Sequence, residues 1–239
     1  MRVRVVAIVR ALAVVALVAL SARAAMAQPT RHFKDSWFWG IKGGALGYQI
    51  QSDMVPNNPF ERFWGGPVAP LAGLDWLITR TNGGLYVSYD QSFFEHFVLV
   101  NDSAGPLDFT PGGRQVVLKD LRRFTMAGML FPMQSYFMHP YVGFGATLSY
   151  IGKATPQGTY TNPARQQPLV EGTIAQFRSV ALPVFMIGTQ FRLLKFSTFG
   201  QATAIPASRS FFLFTGSGWR VTLEGGIRFN VGTSIERMQ

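Results

Sequence analysis

The sequence predicts an all-β fold, an eight-stranded antiparallel up-and-down transmembrane β-barrel preceded by a cleavable signal peptide. Three observations carry this reading. First, the stretch Gly218 to Gly232 alternates without a break. Trp219, Val221, Leu223, Gly225, Ile227, Phe229 and Val231 fall on one face, and Arg220, Thr222, Glu224, Gly226, Arg228 and Asn230 on the other. A period of two is the signature of a strand. Three charges on the second face are poorly suited to a dry core, whereas lipid outside and a narrow polar lumen inside satisfy both faces. Second, no segment of the mature chain is an apolar run long enough for a membrane helix. A chain that enters lipid by strands must close on itself to satisfy its backbone. Third, the connections between strand-like stretches alternate long and short, as periplasmic turns and external loops do.

The chain begins with a segment outside this pattern. Arg2, Arg4 and Arg10 make a basic start, Ala11 to Leu20 is apolar throughout, and Ala25-Met26-Ala27 offers a small-residue cleavage site before Gln28. Residues 1–27 therefore read as a secretory signal peptide and 28–239 as one barrel domain. The apolar run is short for a membrane anchor. There is no cysteine among the 239 residues, so neither a disulfide nor a thiolate metal site is expected. Four of the 22 basic residues lie in the leader, which leaves a modest positive excess spread along the chain with no Lys/Arg run. Nucleic acid is not an expected partner, and no cofactor or metal is expected.

The elements follow in order. Trp37 to Ile50 sets Trp37, Trp39 and Ile41 against Phe38, Gly40 and Lys42, which makes Lys42 a lumen residue. A loop with Pro56, Asn57, Asn58 and Pro59 follows, then a strand near 67–80 with Leu74, Trp76 and Ile78 opposite Gly73, Asp75 and Thr79. Asn82-Gly83-Gly84 is a hairpin signal. It leads to Leu85–Val98, where Leu85, Val87 and Tyr89 alternate with Tyr86, Ser88 and Asp90. After a long connection at 99–113 comes a strand at about 114–131 through Phe124, Met126, Gly128 and Leu130, a turn at 132–139 holding His139, and a strand from Tyr141 to Lys153. Thr155 to Gln167 has no apolar period and reads as a loop. A sixth strand is expected at about 170–190, a seventh at 196–207, a loop at 208–217, and then the terminal strand. An even count places both termini on the periplasmic side.

Several phrases then carry a family likeness: PYVGFGATLSYIG at 140–152, FRSVALPVFMIGTQF at 177–191 and LEGGIRFNV at 223–231. With the signal peptide they resemble the small outer-membrane β-barrel family of the OmpA, OmpX and opacity type. The resemblance implies an outer-membrane location. It also implies that Glu224, Gly226, Phe229 and Val231 serve as the signal read by the barrel-assembly machinery, although this chain runs on through Thr233 to Gln239. Members of the family act as adhesins, host-surface binders, structural proteins or lipid-modifying enzymes, so no single activity is implied.

The candidate site residues follow from the faces. Lys42, Asp75, Asp90, Glu224 and Arg228 point into the lumen, with Glu224 and Lys42 facing across the seam that closes strand eight on strand one. A narrow barrel filled by such side chains is plugged and not a pore. Trp37, Trp39, Trp76 and Trp219 are expected in aromatic girdles, together with Phe63, Trp64, Phe93, Phe94, Tyr136 and Phe137. Arg220 lies nearer the outer rim. Arg62, Arg114, Lys119, Arg122, Arg123, Arg165, Arg178 and Arg209 gather toward the external half, as partners for lipopolysaccharide phosphates or as a solvated loop surface. The expected protein is a monomeric, non-enzymatic outer-membrane barrel that is structural or binds surface lipid or an external partner. The alternative is a lipid A-modifying hydrolase or acyltransferase using His96 with Glu95 and Ser92 or Ser103 at the rim. Nucleophilic catalysis there needs serine, base and acid within hydrogen-bond reach. A soluble lipocalin-type barrel is disfavoured, because the charged face of the terminal strand would line a dry cavity.

Overall fold

The computed structural model describes residues 35–48, 67–80, 82–103, 113–133, 137–193, 196–215 and 218–233. The expected signal peptide, Arg62, Phe63, Trp64, Tyr136 and the tail beyond 233 lie outside them. Alternating sequences become strands here because one face meets the interior and the other does not. The strands are β1 (Ser36–Gly47), β2 (Val68–Arg80), β3 (Gly83–Val100), β4 (Arg114–Leu130), β5 (Met138–Pro156), β6 (Ser179–Leu193), β7 (Phe196–Pro206) and β8 (Trp219–Thr233). Each pairs antiparallel with its neighbour in sequence and β8 pairs with β1, which closes an eight-stranded barrel. Closure removes every sheet edge.

The start of β1 and the end of β8 lie at one end of the barrel, with the connections at 81–82, 131–137 and 194–195. The longer connections at 48–67, 101–113, 157–178 and 207–218 lie at the other.

The sixth strand differs from expectation. Residues 170–177 belong to a helix, α1 (Pro163–Phe177), and the strand starts only at Ser179. The helix opens after Asn162 with Pro163 in its first turn, where a missing N–H costs nothing. It buries Gln166, Val170 and Ile174, one residue in every four. That single stripe is too narrow to register among Pro168, Gly172 and the glutamines. His139 likewise sits in β5 and is buried, not in a turn.

The interior is layered. At the turn end Phe38, Leu77, Met129, Phe131 and Tyr141 form an apolar floor. At the loop end the inner wall is aliphatic, through Leu46, Leu71, Val98, Val116, Leu118 and Ile151. Phe211, Phe212, Leu213 and Phe214, from the β7–β8 connection, fill that mouth and are all buried. Ser208 N–H donates to the Phe214 carbonyl at 2.7 Å, and Arg220 donates to that of Thr215 at 2.6 Å, which fixes the inward fold. Between floor and mouth lie the charges.

Candidate functional site

The middle layer is built from inward positions of all eight strands. Lys42 of β1 donates to Asp90 at 2.9 Å, Glu224 at 3.0 Å and Ser88 at 3.1 Å. Arg123 of β4 donates through Nε to Asp90 at 2.7 Å, through one terminal nitrogen to Thr222 at 3.0 Å, and through the other to Glu224 at 2.9 Å. Gln201 of β7 donates to Glu224 at 2.6 Å and accepts from Tyr141 of β5 at 2.8 Å. Below this cluster, Arg228 of β8 holds Asp75 of β2 through two nitrogens, the shorter contact at 2.8 Å, and donates to Gln190 of β6 at 2.9 Å. Its guanidinium carbon lies 3.7 Å from the centroid of the Phe199 ring.

Three cations thus face three carboxylates with side chains almost wholly buried. Isolated ions would not survive there, but fully hydrogen-bonded pairs do.

The sequence places Arg123 with the external cations; the structure places it inside. The parity of β4 decides this, since Phe124 and Met126 face outward and Arg123 must therefore face in. Other members of that group also differ. Arg114 is buried, where it binds Asp102 and donates to the carbonyls of Gln157 and Thr159, clamping two loops together. Arg122, Arg165 and Arg209 are exposed.

Gly226 shows why a side chain is missing from the charged face of β8. A Cβ there would meet the Ile41 carbonyl, the Lys42 Cα and the Phe199 ring. Its absence lets Phe199 lie beneath Arg228. Gly226→Ala is expected to lower stability by about 1–3 kcal/mol through overpacking. Urea titration in vesicles checks this; an unchanged midpoint would contradict the close fit.

The terminal-strand residues divide by face. Glu224 and Gly226 point inward, whereas Phe229 and Val231 point outward and are exposed. The tryptophans also take definite places. Trp37, Trp39 and Trp76 cluster on the outer wall at the turn end, with Trp39 stacked on Trp76 at 5.9 Å and Trp37 edge-on to it at 5.7 Å. Trp219 lies at the loop end, edge-on to Phe185 at 5.4 Å. Phe94 turns inward instead, against Tyr48 at 5.2 Å.

Ser92 is not brought within reach of His96. Ser92 and His96 lie four residues apart on one strand, roughly 13 Å at a strand's rise. His96 sits beside Tyr48 and Phe97, and Glu95 pairs with Lys119 at 2.9 Å. Among the described residues no three metal-binding side chains come together.

Outside, Ile41, Leu74, Met126, Phe144, Ile187, Leu223 and Ile227 are all exposed around the wall. An apolar exterior around a charged interior is the inverse of a soluble barrel and requires lipid. The protein is a membrane-spanning barrel of the outer-membrane type.

No family model matches the chain, and no curated protein sequence matches it. Among solved structures it is similar to Ail, the attachment invasion locus protein of Yersinia pestis, at 10% identity and a TM-score of 0.43 over 83% of this chain and 99% of that one. It is also similar to Neisserial surface protein A, at 9% identity and 0.44 over 82% and 97%. A de novo designed transmembrane β-barrel aligns at 10% identity and 0.39 over 84% and 100%. Likeness at this level says nothing about ligand or activity.

Proposed function

We propose that the protein is a non-enzymatic, non-conducting outer-membrane barrel that acts through its external surface, as a structural or surface-binding element contacting lipopolysaccharide or an external partner. The observation that supports this most is the filled lumen. Lys42, Asp75, Asp90, Arg123, Glu224 and Arg228 cross-link opposite walls, with the Phe211–Phe214 segment above them and an aromatic floor below. Eight strands leave room for side chains and little else. A role carried out through the lumen would require this packing to be dismantled.

The outward Phe229 and Val231 are assigned to recognition by the barrel-assembly machinery, because they are the members of the terminal phrase left free of the lumen. Glu224 and Gly226 have internal work that accounts for their identity. The four tryptophans are assigned to interfacial girdles, since an amphipathic ring suits the headgroup layer.

Conductance tests the closed lumen. Purified protein in planar bilayers is expected to give no stable channel at moderate voltage. Reproducible porin-like openings from the wild type would overturn the reading.

A further inference from the structure

Alternation fails at one level of the wall, and the failure groups positive charge. In β4 the inward residues are Leu121, Arg123 and Thr125 on one side of Asp120, but Arg114, Val116 and Leu118 on the other. Asp120 has a left-handed backbone, φ 58, uncommon outside glycine and suited to a local break in the ladder. In β5 the same change occurs at Gly152, between buried Ile151 and exposed Lys153. Had alternation continued, Lys119 and Lys153 would point into the aliphatic mouth. Instead both face outward, and they are directly opposed across the β4–β5 ladder.

Like charges directly opposed across a ladder repel. Glu95 answers only Lys119, from the β3 side, with both side chains largely in the open. Two more cations adjoin. Arg122 is exposed and opposite Tyr150. Arg178 lies over the Tyr150 ring at 4.6 Å and donates to the carbonyls of Ile151 and Gly152, which fixes its position on the wall. Asp120, half-buried between the lysines and Arg122, is the other acid in the patch. Among the described residues, four cations therefore outnumber two carboxylates.

Height identifies the partner. Toward the turn end, the outward residues of β4 and β5 are Phe124, Met126 and Leu130, and Val142, Phe144 and Leu148. On β4 and β5 the cations begin where this apolar band ends, at Tyr150, where a layer of lipid headgroups would meet the wall. We infer that Lys119, Arg122, Lys153 and Arg178 form a site on the outer wall for the phosphate groups of a lipid embedded beside β4 and β5. This rests on the proposed surface role and locates it on the wall. Cationic side chains gathered from β4, β5 and the residue before β6 suit phosphate oxygens, and the lipid's own chains would lie against Phe124 and Leu148.

The test uses the purified barrel in dodecylmaltoside with lipid A as the probe, bound lipid being counted by native mass spectrometry. The double variant Arg122→Gln/Lys153→Gln is expected to bind at least about tenfold more weakly, and Arg122→Lys/Lys153→Arg to retain binding. Heat-modifiable migration shows that each variant is folded. Arg209→Gln, on the β7–β8 connection, should bind as the wild type does. The site is overturned if the double variant binds normally, if Arg209→Gln loses as much, if lipid A stripped of phosphate binds equally well, or if inorganic phosphate at matched concentration displaces the lipid. Channel activity with lipid binding intact would defeat the closed-lumen proposal and leave this site standing. Sealed bilayers with lipid binding unaffected by the double variant would do the reverse.

Discussion

Glu224→Leu should lower the stability of the barrel by about 3–5 kcal/mol, the scale for breaking a buried ion pair from one side. Glu224 accepts from Lys42, Arg123 and Gln201. Its loss leaves two buried cations sharing Asp90. Leucine fills much of the same volume, so an effect of this size reports the stranded charge and not a cavity. The double variant Lys42→Met/Glu224→Leu removes one charge of each sign and leaves Arg123 paired with Asp90. It should therefore be more stable than Glu224→Leu alone, with a coupling of about 0.5–3 kcal/mol between the two positions. Urea unfolding of both singles and the double in phosphatidylcholine vesicles measures this. Strict additivity would show that the four groups do not act as a unit.

The same residues show how far a sequence can be read. Lys42, Asp75, Asp90, Glu224 and Arg228 follow from parity alone, because each falls on the face opposite the apolar or aromatic one of its strand, Asp90 despite the polar Gln91 beside it. Arg123 follows from the same rule applied from Phe124, yet it stands next to Arg122 in a doublet that looks like one basic patch. Adjacent residues of a strand face opposite ways, so the doublet splits between lumen and wall. Other features leave a weaker trace. Phe211 to Phe214 is four apolar residues with no period, which sequence alone does not separate from a strand end. Its burial depends on an aliphatic mouth assembled from β1 to β5. The break at Asp120 and Gly152 is harder still. Asp and Gly are both uncommon in strands, yet neither marks a change of face until Lys119 and Lys153 are seen to leave an apolar interior together.

Ile227→Arg is the complementary experiment, on the lipid side of the same strand. Ile227 is 48% exposed and lies in register between Ile41 and Thr198. Just toward the turn end is the Phe196–Phe229 pair, with rings 5.3 Å apart. On its other side Gly43, Gly225 and Gly200 form a row bare of side chains. Its outward neighbour Thr198 offers a hydroxyl but no charge to a guanidinium, and among the described residues no outward carboxylate lies beside it, unlike the edge of the band where Arg122 sits near Asp120. The expected loss is about 2–4 kcal/mol if the site is near the midplane, and less toward an interface. Arg228→Ile, one residue on, should cost a comparable amount for a different reason, since it strands Asp75 in the lumen. Bilayer thickness separates the two. An arginine on the wall can snorkel to the headgroups of a thin bilayer, so the Ile227→Arg penalty should shrink as acyl chains shorten. The Arg228→Ile penalty arises inside the barrel and should stay constant. Urea midpoints in short- and long-chain phosphatidylcholine vesicles give the comparison. A penalty at 228 that tracked thickness, with one at 227 that did not, would invert the faces of β8.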